Sequence, residues 1–204
     1  MTARFLPRSS VALLATCLWP LVAGAQAARP VAIPDFRLTV PAGPWVVEQD
    51  AANAHVTLLA TTTSRLGPRS EVRIDVRVAH PDPTRGLAPM AAAKAALATE
   101  LAALERRAAG AKLVTTPRDT TIGCRALVGA HYHLDPVARR TMGTESGTVF
   151  AWAPPEYAQT GRVVLFRLTA IERGATGLFP DREAAFLGVV QSLELQSTGA
   201  AVIC

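Results

Sequence analysis

The chain lacks the short signatures on which most hydrolases and nucleotide-binding enzymes depend. There is no Gly-x-Ser-x-Gly elbow to present a serine nucleophile and no His-Glu-x-x-His pair to seat a zinc ion. Its nearest approach to a phosphate loop, Gly143-Thr144-Glu145-Ser146-Gly147, has neither the lysine nor the flanking context and reads as a turn. Carboxylates are scattered among arginines, so no two stand out as an acid and base couple. Cysteine is scarce: Cys17, Cys124 and Cys204 are the three, and neither Cys124 nor Cys204 sits beside a histidine that would mark a nucleophile. Lysine is nearly missing, with Lys94 and Lys112 alone among arginines. Those arginines alternate with acids instead of clustering, which excludes a nucleic-acid stripe and predicts no nucleic-acid partner. Beyond residue 27 no apolar run approaches the ~20 residues of a membrane span, so no integral membrane segment is expected there.

What is present begins with residues 1–27. Arg4 and Arg8 form a positive head, Val11 to Ala25 an uncharged and mostly apolar stretch, and Ala23-Gly24-Ala25 and Ala25-Gln26-Ala27 two overlapping cleavage patterns. This layout predicts a secretory signal peptide cleaved after Ala25 or Ala27, and hence a periplasmic or secreted product. A lipobox at Leu14-Ala15-Thr16-Cys17 is disfavoured by Thr16 and by the apolar run that continues through Leu18, Trp19, Leu21 and Val22. Loss of Arg4 and Arg8 brings the formal charge from +5 to +3. Residues 28–204 have the length of a single domain, enough to bury roughly 70% of the unfolded surface without a metal or disulfide staple. In an oxidising compartment a Cys124–Cys204 bridge is allowed, and so is a buried thiol at Cys124 beside a free one at Cys204.

After a leader containing Pro30 and Pro34, strands are expected at 36–40, 45–47, 55–63 and 71–79. In the last of these Val72, Ile74, Val76 and Val78 face one way and Glu71, Arg73, Asp75 and Arg77 the other. That polar row alternates in sign, as a solvated sheet face with self-paired charges would. Residues 89–109 change to helical spacing, with Met90, Ala93, Leu97, Leu101 and Leu104 on one stripe, Pro89 in the first turn and Gly110 as cap. A strand broken by Pro117 is expected over 112–122, then strands at 125–134, 147–153 and 162–171, the last two joined by a loop over 154–161. A second helix opens at Phe179-Pro180-Asp181-Arg182 and runs to about Ser192, and 194–204 forms a short strand or tail.

In this order the residues resemble the PsbP-like family, which includes Mog1, DcrB and the bacterial DUF1795 proteins. Phe36-Arg37-Leu38-Thr39-Val40-Pro41-Ala42-Gly43-Pro44-Trp45 is similar to their first strand and Pro-x-Gly-Trp turn, with Pro44 as an extra residue. Thr121-Ile122-Gly123-Cys124-Arg125-Ala126 resembles the small-residue turn that follows their helix. Phe179 to Phe186 with Ser192-Leu193 resembles their closing helix. The resemblance implies an α+β fold, an antiparallel β-sheet flanked by helices in an α/β/α sandwich. It also implies a non-enzymatic accessory protein that binds another envelope protein and needs no cofactor, with no catalytic residue to carry over.

The alternative rests on His131-Tyr132-His133-Leu134-Asp135. On a strand His131, His133 and Asp135 share a face, and such a trio could hold zinc or copper in a metal-binding protein or metal-dependent enzyme, with His55 or His80 as a further ligand if the fold brings one near. Arg125, Leu127 and Gly129 on the same face add no ligand, and His-x-His on a solvated face is common by chance. For partner contact, the loop at 154–161 with Glu156 and Tyr157 is the better candidate, since loops carry function while strands carry packing. Trp45 and Trp152 could join Tyr157 in an aromatic patch, although the strand-like neighbours Val46 and Val47 place Trp45 in the core.

Overall fold

Period-two apolar rows build this molecule, and its helices cover them. The computed structural model describes residues 26–61, 70–80, 86–107, 111–113, 115–134, 144–172 and 181–196. Along the chain run β1 (Arg29–Ala32), β2 (Phe36–Val40), β3 (Val46–Asp50), β4 (His55–Thr61) and β5 (Glu71–Ala79). The long helix α1 (Pro89–Arg107) follows, then β6 (Ala111–Leu113), β7 (Arg118–Ile122), β8 (Arg125–Leu134) and β9 (Thr144–Trp152). Last come a single turn α2 (Tyr157–Thr160), β10 (Val163–Glu172), α3 (Arg182–Ser192) and β11 (Glu194–Leu195).

The main sheet has eight strands in the order β3-β4-β5-β10-β9-β8-β6, with β7 pairing the first half of β8. Every pairing is antiparallel. On one face α1 lays Ala93, Leu97, Leu101 and Leu104 against Val128, Tyr132, Val149 and Leu165. On the other, Phe186, Val189 and Val190 of α3 meet Leu127, Phe166 and Ile74, and the Phe150 and Phe186 rings stack 5.5 Å apart. A β-sheet with helices on both faces is therefore the fold, of the α+β class expected.

Three local expectations are corrected. The proline-containing leader holds β1, which pairs with β2, and β11 closes a second, three-stranded sheet β1-β2-β11 beside α3. One outer layer is therefore half helix and half sheet, because Phe36, Leu38 and Val40 bury themselves on the same core as α3. Residues 144–147 are strand and not turn, since Gly147 sits under the Tyr132 ring. A Cβ there would lie 2.5 Å from the Tyr132 hydroxyl oxygen and 2.2 Å from the Leu168 carbonyl oxygen. Within the expected loop 154–161, residues Tyr157–Thr160 form the single turn α2, and Tyr157 turns inward. The second helix runs as expected from Arg182, behind Asp181 at its N-cap, to Ser192, while Phe179, Pro180 and Gly110 lie outside the described residues.

Candidate functional site

Helix α1 packs on β8, β9 and β10, and among the described residues no element lies over the same face of β3, β4 and β5. Register aligns that open face into three rungs. Val46, Leu59 and Arg73 form the first, Glu48, Thr57, Asp75 and Arg167 the second, and Asp50, His55, Arg77 and Leu165 the third. Alternation along each strand thus places five charged side chains and one imidazole on two adjacent rungs, where the edge of α1 meets the open face.

Asp75 is the centre. It is 4% exposed and accepts hydrogen bonds from Nε2 of His55 at 3.0 Å, Oγ1 of Thr57 at 2.9 Å, Nε of Arg73 at 2.9 Å and Nη2 of Arg167 at 3.0 Å. Glu100, 7% exposed, reaches down from α1 and accepts from Nη1 of Arg167 at 3.0 Å and from Arg77. Arg167 therefore bridges a strand carboxylate and a helix carboxylate, while its Nε is buried with no partner among the described residues. Burial pulls the Asp75 carboxyl upward, but the hydrogen bonds from His55 and Arg73 and the charge of Arg167 prevail and hold it well below the ordinary carboxylate range. Burial likewise pulls Arg167 down, and Asp75 and Glu100 more than reverse it. Around these groups lies a cleft of about 420 Å³ lined by Asp50, His55, Asp75, Arg77, Glu100 and Arg167. Asp75, with its lone pairs committed to four donors, is a poor proton acceptor near neutral pH. The arrangement is a rigid charged platform, with the half-exposed heads of Arg73 and Arg77 on top of buried acids.

The row Glu71, Arg73, Asp75 and Arg77 is accordingly not the self-paired solvated face expected: Asp75 is buried, and most of its partners come from β4 and β10. One signal for this was visible, the arginine in the otherwise apolar run Val163-Val164-Leu165-Phe166-Arg167-Leu168. A charge inside a fully buried strand needs a partner.

The other candidates are dispersed. His131 is exposed and His133 half-buried on the α3 side of β8, opposite Thr148 and Ser146, and Nδ1 of His131 lies 2.7 Å from Oγ1 of Thr148. Asp135 lies outside the described residues. His55 is not their neighbour: it stands on the α1 side of β4 and is bound to Asp75. Among the described residues no three His, Cys, Asp or Glu side chains gather as a metal site would require. Cys124 is exposed in the turn between β7 and β8 and is disulfide-bonded, while Cys204 lies outside the described residues. Glu156 is half-buried and Tyr157 is 2% exposed within the α1 core, so the loop aromatic faces inward; Trp45 and Trp152 are buried too, and no aromatic surface patch forms from the three. Sequence reasoning also missed Arg125. It is 3% exposed, donates to the carbonyls of Val190 at 3.0 Å, Gln191 at 2.9 Å and also Leu193, and lies 5.0 Å from the Trp152 ring centroid. It caps the end of α3, where the last carbonyls have no partner within the helix.

No protein-family model matches this chain, and no curated protein sequence matches it significantly. Among solved structures it is similar to PA94, a Pseudomonas aeruginosa protein of unknown function. The two are 18% identical with a TM-score of 0.41, over 80% of this chain and 94% of that one. It is also similar to the cyanobacterial PsbP (CyanoP) of Synechocystis, at 11% identity and a TM-score of 0.38 over 81% of this chain and 95% of that one.

Proposed function

We propose that this protein is an exported, non-enzymatic accessory module that docks on another envelope protein through the open sheet face over β3–β5 and the β3 edge. The observation that carries this reading is the saturation of Asp75 and Glu100 by Arg73, Arg77, Arg167, His55 and Thr57. A carboxylate so held serves structure and surface charge, not proton transfer. The platform also adjoins a free strand edge: β3 ends the sheet, and no described strand pairs its outer side. Val46 on β3 is 59% exposed, the most exposed of the large hydrophobic residues described. An apolar side chain on an unpaired edge next to half-exposed arginines suits a protein surface better than a small-molecule pocket.

The test is photo-crosslinking in cells with a reactive residue at Val46, against the same residue at Leu187 on the outer side of α3. A discrete adduct from Val46, absent from Leu187 and lost on Arg73→Glu with the melting temperature kept, supports the reading. Equal adducts from both positions, or none from Val46, refute it.

A further inference from the structure

Two overlapping cleavage patterns close the export leader, one ending at Ala25 and one at Ala27, and Gln26 between them belongs to the fold. β1 pairs with β2 from Ala32 opposite Arg37 to Arg29 opposite Val40. The same register resumes three residues further out on each side, where Gln26 stands opposite Gly43 and its carbonyl accepts the Gly43 amide at 2.9 Å. Gly43 is a fixed point for that bond. Its φ is +139°, and a Cβ there would lie 3.1 Å from Nε1 of the buried Trp45. A peptidase needs the bond it cuts in a segment free to enter its cleft. Once β1 has paired, the Ala27–Ala28 bond lies between two held residues, Gln26 and Arg29, whereas the bond before Gln26 precedes the outermost described pair. Gln26 itself is exposed.

We propose that the leader is removed after Ala25 and that Gln26, as the new first residue, closes into a pyroglutamyl cap on the end of β1. Hydrolysis of the Ala25–Gln26 amide consumes one water and leaves a carboxylate on Ala25 and an α-amine on Gln26. The neutral amine attacks Cδ of its own carboxamide. A C–N bond forms to close a five-membered lactam, the bond to the side-chain nitrogen breaks, and ammonia leaves. Neither an oxidant nor a reductant takes part. Pairing with Gly43 engages the Gln26 carbonyl and leaves the exposed carboxamide to the ring, while the alternative first residue, Ala28, has no side-chain amide. The cap removes the terminal positive charge and denies an exopeptidase the free amine it recognises. It thereby keeps residues 26–28, which carry the pairing beyond β1, an edge strand whose Arg29, Pro30 and Ala32 are exposed. This inference rests on the export reading and is independent of the docking face on β3–β5.

Protein purified from its exporting cells is treated with an amine-specific label, then digested, and its first peptide is weighed. Labelling comes first so that ring closure during digestion is not counted. The peptide is expected to begin at Gln26, to be lighter by one ammonia than its plain sequence, and to carry no label at its start. A start at Ala28, or at Gln26 with a labelled amine, overturns the proposal and leaves export standing; a chain that still carries Met1 overturns the export reading as well. Gln26→Asn, whose side chain is too short for a five-membered lactam, is expected to begin at residue 26 and to take the label. The pairing is read separately by hydrogen exchange. Deleting Gln26 and Ala27, so that Ala28 follows Ala25, is expected to make the Gly43 amide exchange several-fold faster. Equal exchange in the two proteins overturns Gln26 as the end of the ladder, and with it the choice of cut.

Discussion

Replacing Arg167 with methionine tests the ion-pair network most directly. The side chain is 20% exposed and stands between two acids whose side chains are 5% and 9% exposed, so its loss strands negative charge where water reaches poorly. Breaking a buried pair by removing one partner typically costs about 3–5 kcal/mol. The lower end applies, because Asp75 keeps Arg73, His55 and Thr57, and Glu100 keeps Arg77. A loss of about 3 kcal/mol in a domain of this size lowers the melting temperature by roughly 6–12 °C. Urea unfolding at pH 7 measures it, with Arg73→Met as comparison: that side chain is 39% exposed, and its loss should cost no more than about 1 kcal/mol. The deficit should also depend on pH. A carboxylate whose folded pKa is depressed contributes stability above its unfolded value of about 4 and loses it as pH falls through the folded value. Asp75 is such a group, and Arg167 is one cause of its depression. The stability lost in the variant should therefore be full at pH 7 and shrink only as pH falls below about 4 towards the depressed value at which Asp75 takes up its proton. Glu100→Gln placed on top of Arg167→Met should recover part of the loss. A deficit under about 1 kcal/mol at pH 7, or one that does not change on acidification, would refute the assignment of Arg167 as the bridge.

Three further outcomes are expected. Arg125→Met should cost about 2–4 kcal/mol in chemical unfolding, because it leaves the α3 carbonyls without donors, and Arg125→Lys should recover only a fraction, having no planar fork to span them. Gly147→Ala should destabilise by at least about 2 kcal/mol through collision with Tyr132 and the Leu168 carbonyl, while Gly188→Ala in α3, where a Cβ meets nothing within 4 Å, should stabilise by up to about 1 kcal/mol, both read by thermal melting. Zinc and copper titrations of the protein should give the same small thermal shift in the wild type and in the His131→Ala, His133→Ala variant, since among the described residues no third ligand joins the two imidazoles and a pair alone holds these ions weakly; stoichiometric metal that disappears in the variant would instead favour the metal-binding alternative.

Much of the layout was legible before any coordinates. The bounds of β5 and β8 follow from strict alternation, as in Val72, Ile74, Val76 and Val78, and α1 follows from Leu97, Leu101 and Leu104 at helical spacing behind Pro89. Less regular pieces were not legible. β1 carries a proline and β11 has two residues, and each is a strand only because β2 lies beside it. The charged cleft was hidden for a different reason. Arg167 lies 92 residues from Asp75 and 67 from Glu100, and Arg125 reaches carbonyls 65 to 68 residues away, so no local pattern reports these pairings. Tyr157 was misread because polarity and proline mark a loop without saying which way its aromatic turns.

By itself the sequence determined the long regular strands and helices and which side of each is apolar, because backbone periodicity repeats every two or 3.6 residues and needs no distant partner. Tertiary structure alone decided that α1 packs on β8, β9 and β10 and that, among the described residues, no element covers the same face of β3–β5. It also buried Asp75 beneath two arginines and set the end of α3 against the turn that bears Cys124. Whether a polar face is surface or interior depends on what lies over it, and that is a property of the assembled layers.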